Sequence, residues 1–451
     1  MNVLLIRPPR IKQAITLSDF MYSEPLGLEM AYGVIKNDHR VEIFDMMAED
    51  TPLADKLAAF QPDCIAITSL CIDVHAVHDI ARQTKAYSSS IFTLVGGTQA
   101  YLNPEGFMDP AVDGIFHYTT RDNLLAFYGA KPGSKDIPGV LLRSRDYAKG
   151  EVKGRNEYIL PDRKSTSKYR DQYSYFGYKP AAIMQISQGC AKACRFCLRW
   201  RLEGFDEVDF DRDLVRADLA QIEEETIMLY DNDILGSTAR IDHFMDLVED
   251  MGLKKNFIAY ASVEGVLANK DQVKRFQSLG LKALLVGYES FSDRDMAYYT
   301  KKATTSDNQV AAAFLRNLGI DVWASFMAHP DWSRQDFKAF RRAVKALSPQ
   351  ISSVSPLTPF PNLPLYREYK DRLLYGPDDF EKWSFGQVMI EPSQMSLRMY
   401  YFEMLKTNLY INLMMNKTTE MLHRYGFKTL TRLTVGSSKA FVKYVRLMLE
   451  A

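Results

Sequence analysis

Three of the five cysteines, Cys190, Cys194 and Cys197, fall within eight consecutive positions, directly after the run AAIMQIS. A short apolar run of that kind reads as a β-strand, so the three thiols share one loop at the strand's C-terminal end. No other feature restricts the fold as much. Clustered thiols in odd number are unlike a disulfide framework and point to a metal held in a reducing compartment. Three thiolates on one loop can ligate three irons of a cubane cluster, leaving the fourth iron open. A structural zinc site is the alternative, although it takes four ligands in paired spacings and no fourth Cys or His lies nearby in sequence.

The strand before the cysteines opens a series. TIMLYDND, FIAYASV, ALLVGYES, DVWASFMAH and SSVSPLTP follow, with helical stretches such as STARIDHFMDLVEDMG and SDNQVAAAFLRNLG between them. Six βα-like units predict a partial or full parallel barrel over 181–375, with its chemistry at the C-terminal ends of the strands. An earlier alternation, NVLLIRPP, RVEIFDM, DCIAITSL and SIFTLVGG, predicts a separate doubly wound parallel sheet over 1–130. Its strands end in Arg7-Pro8-Pro9, Asp45, Thr68-Ser69 and Gly96-Gly97, and in such sheets the ligand lies beyond those ends. Residues 131–180 are polar and rich in Lys, Ser, Pro and Tyr, as in a linker wrapping a surface, and 376–451 are helical in pattern. The whole is an α/β chain of two ligand-binding domains and a helical C-terminal region.

Composition narrows the function. Lys plus Arg and Asp plus Glu balance at 56 each, so no nucleic-acid partner is expected. The N-terminal run is too short for a secretory signal and no window holds about 18 uninterrupted apolar residues, so a cytoplasmic location is expected. After Tyr401 the basic residues exceed the acidic by five, and Met404, Leu409, Leu413, Met414, Met421 and Leu422 approximate a helical stripe. Such a segment reads as a packed core helix or as a lid over an apolar or amphiphilic small-molecule substrate, with peripheral contact to an anionic membrane as a further expectation.

CxxxCxxC after the first barrel strand, with Phe196 before the last Cys, resembles the signature of the radical S-adenosylmethionine superfamily. The likeness extends through Tyr230-Asp231-Asn232-Asp233, Gly287-Tyr288-Glu289-Ser290, TKKAT and TPFPNLPLY. It implies a [4Fe-4S] cluster on Cys190, Cys194 and Cys197, with S-adenosylmethionine on the open iron. Phe196, Asp231, Glu289 and Ser290 are the implied cofactor contacts, Glu289 and Ser290 near the ribose, and an external electron donor of flavodoxin or ferredoxin type is implied as partner. Ala328-His329-Pro330-Asp331-Trp332-Ser333 departs from the G-x-P-x-E-T that relatives carry after the fifth strand.

A doubly wound domain ahead of such a barrel resembles the cobalamin-binding domain of one branch of that superfamily. The matching residues are Pro8, the helix segment PLGLEMAYG, Thr68, Ser69, and Gly96, Gly97 and Thr98. Asp73-Val-His75-Ala-Val-His78 imitates the cobalt-ligating D-x-H-x-x-G motif but follows strand three rather than strand one and lacks its Gly. Cobalt without a histidine ligand is therefore expected. The resemblance implies a cobalamin-dependent methyltransferase that moves a methyl group from S-adenosylmethionine, by way of cobalamin, to an unactivated carbon. An oxidative cyclase or rearrangement enzyme using the same cofactors is one alternative, and a non-catalytic cobalamin or redox sensor is another. The catalytic acid or base is not identified by any motif.

Overall fold

The computed structural model describes residues 1–9, 21–147, 154–415, 422, 426–427, 431, 438 and 441–450. Its first sheet contains β1 (Asn2–Arg7), β2 (Arg40–Asp45), β3 (Cys64–Thr68), β4 (Phe92–Gly96), β5 (Gly114–Phe116) and β6 (Val140–Leu142), in the spatial order β2-β1-β3-β4-β5-β6. The first five run parallel and β6 closes the edge antiparallel to β5. Strand order reverses between β1 and β3, which opens a crevice at their C-terminal ends.

Both faces of this sheet are covered, and the strands read as continuous apolar runs for that reason. Along β1, Leu4 and Ile6 join Ile65, Ile67 and Val95 under α2 (Leu53–Phe60) and α3 (Val74–Tyr87). Val3 and Leu5 take the other face with Cys64 and Leu94, under α1 (Leu26–Ile35). The sheet does not stop at residue 130, because β6 lies in the polar stretch that reads as linker.

The second sheet is the barrel: β7 (Ala181–Met184), β8 (Thr226–Leu229), β9 (Asn256–Ser262), β10 (Leu281–Glu289), β11 (Asp321–Ala328) and β12 (Ile351–Pro356). They are parallel, in the order β12-β11-β10-β9-β8-β7, with no pairing of β7 to β12 among the described residues, so the barrel is partial. Met184, Leu229, Ala259, Leu284, Ala324 and Val354 face outward onto the surrounding helices.

The segment between the sheets is far from a surface wrap. Tyr158, Tyr169, Tyr173, Tyr175 and Phe176 are all buried. Phe176 lies 4.4 Å from Trp323 of β11, among the inward-facing residues Ile183, Met228 and Ile258, and so plugs the lower end of the barrel. Arg163, 3% exposed, bridges both domains. It forms two bonds of 2.8 Å to Asp218 of α7 (Arg212–Leu219) and one of 2.9 Å to Glu24, just ahead of α1. Arg170 adds Glu24 at 3.2 Å and Glu224 at 3.2 Å. Glu24 also accepts the backbone N–H of Ile183 at 2.8 Å, so the first domain is tied to the strand that carries the cysteine loop. Polar composition concealed this because the polar groups find one another inside the seam.

The helix Leu397–Tyr410 caps the barrel wall: the Tyr400 hydroxyl donates to the carbonyls of Ala328 and His329 at 3.1 Å each. The proposed stripe divides. Met404 is fully buried and Leu409 is exposed, so the two do not share a face, and Leu422 is exposed. Met421 and the side chains of Leu413 and Met414 lie outside the described residues. Among the described residues no helix is long and apolar enough to cross a membrane.

Candidate functional site

The cysteine loop is shaped by one glycine and tied by neighbouring side chains. Gly189 sits at φ +97°, and a Cβ there would come within 2.0 Å of the Asp206 carbonyl, so only glycine fits. Glu203, on α6 (Arg199–Glu203), accepts from the Gly189 N–H at 3.2 Å and from the Asn232 amide at 2.7 Å. The Trp200 indole donates to the Cys194 carbonyl at 3.0 Å. The Arg199 N–H lies 3.5 Å from the Cys197 sulfur and can donate to it. Burial pushes the Cys194 thiol up to about 12, with Lys301 acting the other way.

The arrangement tests the two metal readings. Three sulfurs on one zinc would stand about 3.8 Å apart, given the Zn–S length. No group of three His, Cys, Asp or Glu side chains among the described residues is arranged to hold a single metal ion. Yet the three thiols feel one another electrostatically. Three neighbouring thiols on one loop are the donor set that three irons of a cubane take.

Beside the cysteines, β10 ends in an irregularity: its register against β11 shifts between Gly287 and Glu289, and Glu289 takes φ +61°. A bulge re-aims a side chain. Here it brings the Glu289 carboxylate 3.1 Å from Lys301 and so close to Gly287 that a Cβ there would meet its oxygen at 2.3 Å. A buried carboxylate with a cation on one oxygen keeps lone pairs for vicinal hydroxyls. Lys301 comes from TKKAT, a stretch whose residues had no assigned role.

Two other expected contacts are turned into the fold. Asp231 is fully buried, accepting from the Ser187 hydroxyl at 2.6 Å and the Ile186 N–H at 3.2 Å, and burial raises its pKa to about 6. The Ser290 hydroxyl donates to Asp295 at 2.9 Å. Phe196 packs edge-on against Tyr299, 5.5 Å between rings.

The barrel interior is sealed below and open above. Met228, Ile258, Ala283 and Trp323 are buried, whereas one layer higher Tyr230, Tyr260, Leu285, Ser325, Ser353 and Ser355 keep partial exposure. Parallel barrels ordinarily fill this space with branched apolar side chains. Tyr260 bonds to Tyr175, and the Arg199 guanidinium lies 4.3 Å above the Tyr230 ring. The Gln185 amide nitrogen, also on the inward register, is buried without a hydrogen-bond partner among the described residues. These lumen residues escaped sequence reasoning, although their signal was present as polar residues at alternate strand positions where a closed core would carry Val or Leu.

The first domain presents its strand ends to the same region. The Ser69 hydroxyl donates to the Gly96 carbonyl at 2.7 Å and Gln99 N–H to the Ser69 carbonyl at 3.1 Å, which knits the loops after β3 and β4. Gly97 has φ +94°, and a Cβ there would strike the Ser69 nitrogen at 2.7 Å. Its bareness is required by the packing of the two loops, whose Thr68 and Ser69 atoms occupy the place of a side chain. Among the described residues, Gly96 has only Phe116 near its missing side chain, at 3.6 Å. Thr68, Gly96, Gly97 and Thr98 are partly exposed, Leu70 is half-exposed, and Pro8 is buried at the end of β1. This partly exposed edge is where a doubly wound sheet takes its ligand. His75 and His78 lie on α3, their rings against Phe380 and Phe107.

Both sheets thus turn their C-terminal edges toward one seam. The Asn362 amide, after β12, donates at 3.0 Å to the carbonyl of Leu102, which ends α4 (Thr98–Leu102) after β4.

Comparison with known proteins agrees with this layout. Residues 14–123 match the B12 binding domain family and residues 184–344 the radical SAM superfamily. The hopanoid C-3 methylase of Methylococcus capsulatus is 26% identical over 403 residues, covering 86% of this chain and 76% of the relative. Among solved structures, the cobalamin-dependent S-adenosylmethionine radical enzyme OxsB superposes with a TM-score of 0.72 at 15% identity, covering 98% of this chain and 71% of OxsB. The radical S-adenosylmethionine methyltransferase TsrM of Kitasatospora setae superposes with a TM-score of 0.69 at 12% identity, covering 97% and 98%.

Proposed function

Because the chain belongs to the cobalamin-binding branch of the radical S-adenosylmethionine superfamily, we propose that it is a methyltransferase acting on an unactivated carbon of a small molecule bound in the barrel lumen. One observation carries the reading: the cysteine loop and the Thr68-Ser69 and Gly96-Gly97 loops stand at sheet edges that face each other across the Asn362–Leu102 contact. The cofactors supply the methyl group and the hydrogen abstraction, which no side chain provides.

The protein's share is holding and orienting. Cys190, Cys194 and Cys197 supply three thiolates, and Arg199 stabilises the last through its backbone N–H. Glu289, backed by Lys301, accepts from sugar hydroxyls of S-adenosylmethionine. The Phe176–Trp323 plug closes the lumen floor, so a substrate enters only from the mouth, and Tyr260, Ser325 and Ser353 orient it by hydrogen bonds. Asp231 and Ser290 act on the site indirectly, by fixing the backbone around it. An external flavodoxin- or ferredoxin-type electron donor and a cytoplasmic setting complete the proposal.

The test uses reconstituted protein, a chemical reductant, S-adenosylmethionine labelled in its methyl group, and metabolite extract from cells lacking the protein. Expected are 5′-deoxyadenosine and one extract component that gains the labelled methyl. Deoxyadenosine with a product changed in mass but carrying no label would replace methyl transfer by cyclisation or rearrangement. Absence of deoxyadenosine with every extract would leave a sensor.

A further inference from the structure

At the seam the structure holds a cleft of about 410 Å³. Tyr101 and Leu102 of the first domain form one wall, Arg201 of α6 another, and the segment after β12, with Asn362, Pro364 and Arg367, the third. Its described lining contains two guanidinium groups and no carboxylate.

That imbalance is local. Neighbouring arginines are all paired: Arg195 with Glu368, Arg199 with Glu203 at 3.2 Å, and Arg372 with Asp331 at 2.6 Å. Arg201 and Arg367 have no acidic partner among the described residues. Arg201 is held in place by Trp200, its guanidinium carbon 4.4 Å from the ring centroid. Stacking occupies the face of a guanidinium and leaves its in-plane N–H donors for a ligand. Trp200 is itself fixed to the Cys194 carbonyl, so this donor set is anchored to the cysteine loop. Both arginines are exposed on the cleft wall, and an anion between them would make charge-assisted contacts with each.

We propose that this cleft is an anion subsite in which Arg201 and Arg367 bind a phosphate or carboxylate. In placing the subsite between the two cofactor loops, the inference rests on the function proposed above. The anion can belong to either of two molecules at that seam, the phosphodiester of the cobalamin nucleotide or an acidic group on the substrate, and the chemistry of recognition is the same. On the substrate side it describes a molecule of mixed polarity, with an anionic end at the cleft and the reacting carbon toward the lumen.

The experiment uses full-length protein with its cluster restored and inorganic pyrophosphate as probe. Binding is followed by tryptophan fluorescence, since Trp200 lies against Arg201, and by phosphorus line broadening. Saturable binding by the wild type, weakened about tenfold or more in Arg201→Gln/Arg367→Gln and largely recovered in Arg201→Lys/Arg367→Lys, is expected from the loss of two charged hydrogen bonds. Equal binding by the Gln variant, or no saturable binding by the wild type, overturns the proposal. Cobalamin and cobinamide, which lacks the nucleotide and its phosphate, distinguish the sources. A Gln variant weakened toward cobalamin alone assigns the cleft to the nucleotide phosphate. One that loses pyrophosphate while keeping both corrinoids assigns it to the substrate. Wild-type protein that makes deoxyadenosine but binds no pyrophosphate removes this inference alone, whereas the reverse result removes only the proposed function.

Discussion

The seam around Arg163 and the barrel mouth around Glu289 are built from the same residue types and treat them in opposite ways. At the seam, Arg163 and Arg170 are shared among Glu24, Glu29, Asp218 and Glu224, and Thr166 and Tyr158 donate to Glu29 and Asp218. At the mouth, among the described residues, Glu289 has one cation, Gln185 has an unpartnered amide nitrogen, and three serines are partly exposed. Glu24 Oε2 and Arg170 Nη1 at the seam also lack a hydrogen-bond partner among the described residues, so the difference lies in charge pairing: acids shared between two arginines lock geometry, while the sparsely paired mouth keeps bonding capacity for a ligand. The two regions should therefore respond to substitution on different scales, the seam in stability and the mouth in binding.

The largest contrast is all-or-none. Cys194→Ala should abolish cluster iron while the chain stays folded, whereas Cys64→Ala/Cys71→Ala should leave iron content unchanged. Cys64 is wholly buried in the first sheet and burial pushes the Cys71 thiol up to about 12, so neither is a ready ligand. Iron analysis with circular dichroism checks both, and iron loss in the double variant would break the assignment.

Next comes the seam itself. Arg163→Met leaves Asp218 buried without a cation among the described residues and Glu24 with Arg170 alone, and should cost about 3–5 kcal/mol in denaturant unfolding. Iron bound per folded chain should not change. A loss under 1 kcal/mol would mean that the domains are held by apolar packing alone.

Glu289→Gln keeps the shape but not the charge. It should weaken S-adenosylmethionine binding about tenfold, the worth of one charge-assisted hydrogen bond, and leave the melting temperature within a few degrees. Isothermal titration on the cluster-loaded protein reads the first and calorimetry the second.

The smallest effect is a pH dependence at the seam. Burial raises the Glu29 carboxyl from 4.5 to about 8, opposed by Arg163, Arg170 and the Thr166 hydroxyl and assisted by Glu24. The folded chain keeps a proton that the unfolded chain releases above about pH 4.5. Its stability contribution is accordingly full below that pH and declines as pH rises through 8. Glu29→Gln should flatten the stability profile between those limits and raise stability at pH 8 by about 1–2 kcal/mol, measured by denaturant titration across pH. An unchanged profile would show that the carboxylate is already ionised and carried by the arginines.

Local signals were enough for much of this. The strands NVLLIRPP, DCIAITSL and AAIMQIS were legible because strands covered on both faces are apolar throughout, and the Cys loop because ligand spacing is a property of the chain alone. The loops at Ser69 and Gly97 were legible as an edge, but not the packing that joins them: Thr68 and Ser69, remote in sequence, fill the place a Gly97 side chain would take. Lys301 gave no local sign of its role, which depends on where a bulge aims Glu289, and Gln185 carried only the sign of a polar residue at an alternate strand position, whose meaning depends on which strand face looks inward.

By itself, then, the sequence determined two parallel sheets, their order along the chain, and the three thiols at the head of the second. Each follows from hydrophobic periodicity or short-range spacing, which need no partner from elsewhere. Tertiary structure alone decided that Tyr158, Arg163, Tyr173 and Phe176 of the polar segment would be buried as a seam and plug. It also decided that Asp231 and Ser290 would serve the backbone while Glu289 faced the site, and that Arg201 and Arg367 would meet in one cleft without an acid. Charged and polar side chains acquire a role only from what surrounds them, because desolvation and pairing, not residue type, fix whether a charge supports the fold or waits for a ligand.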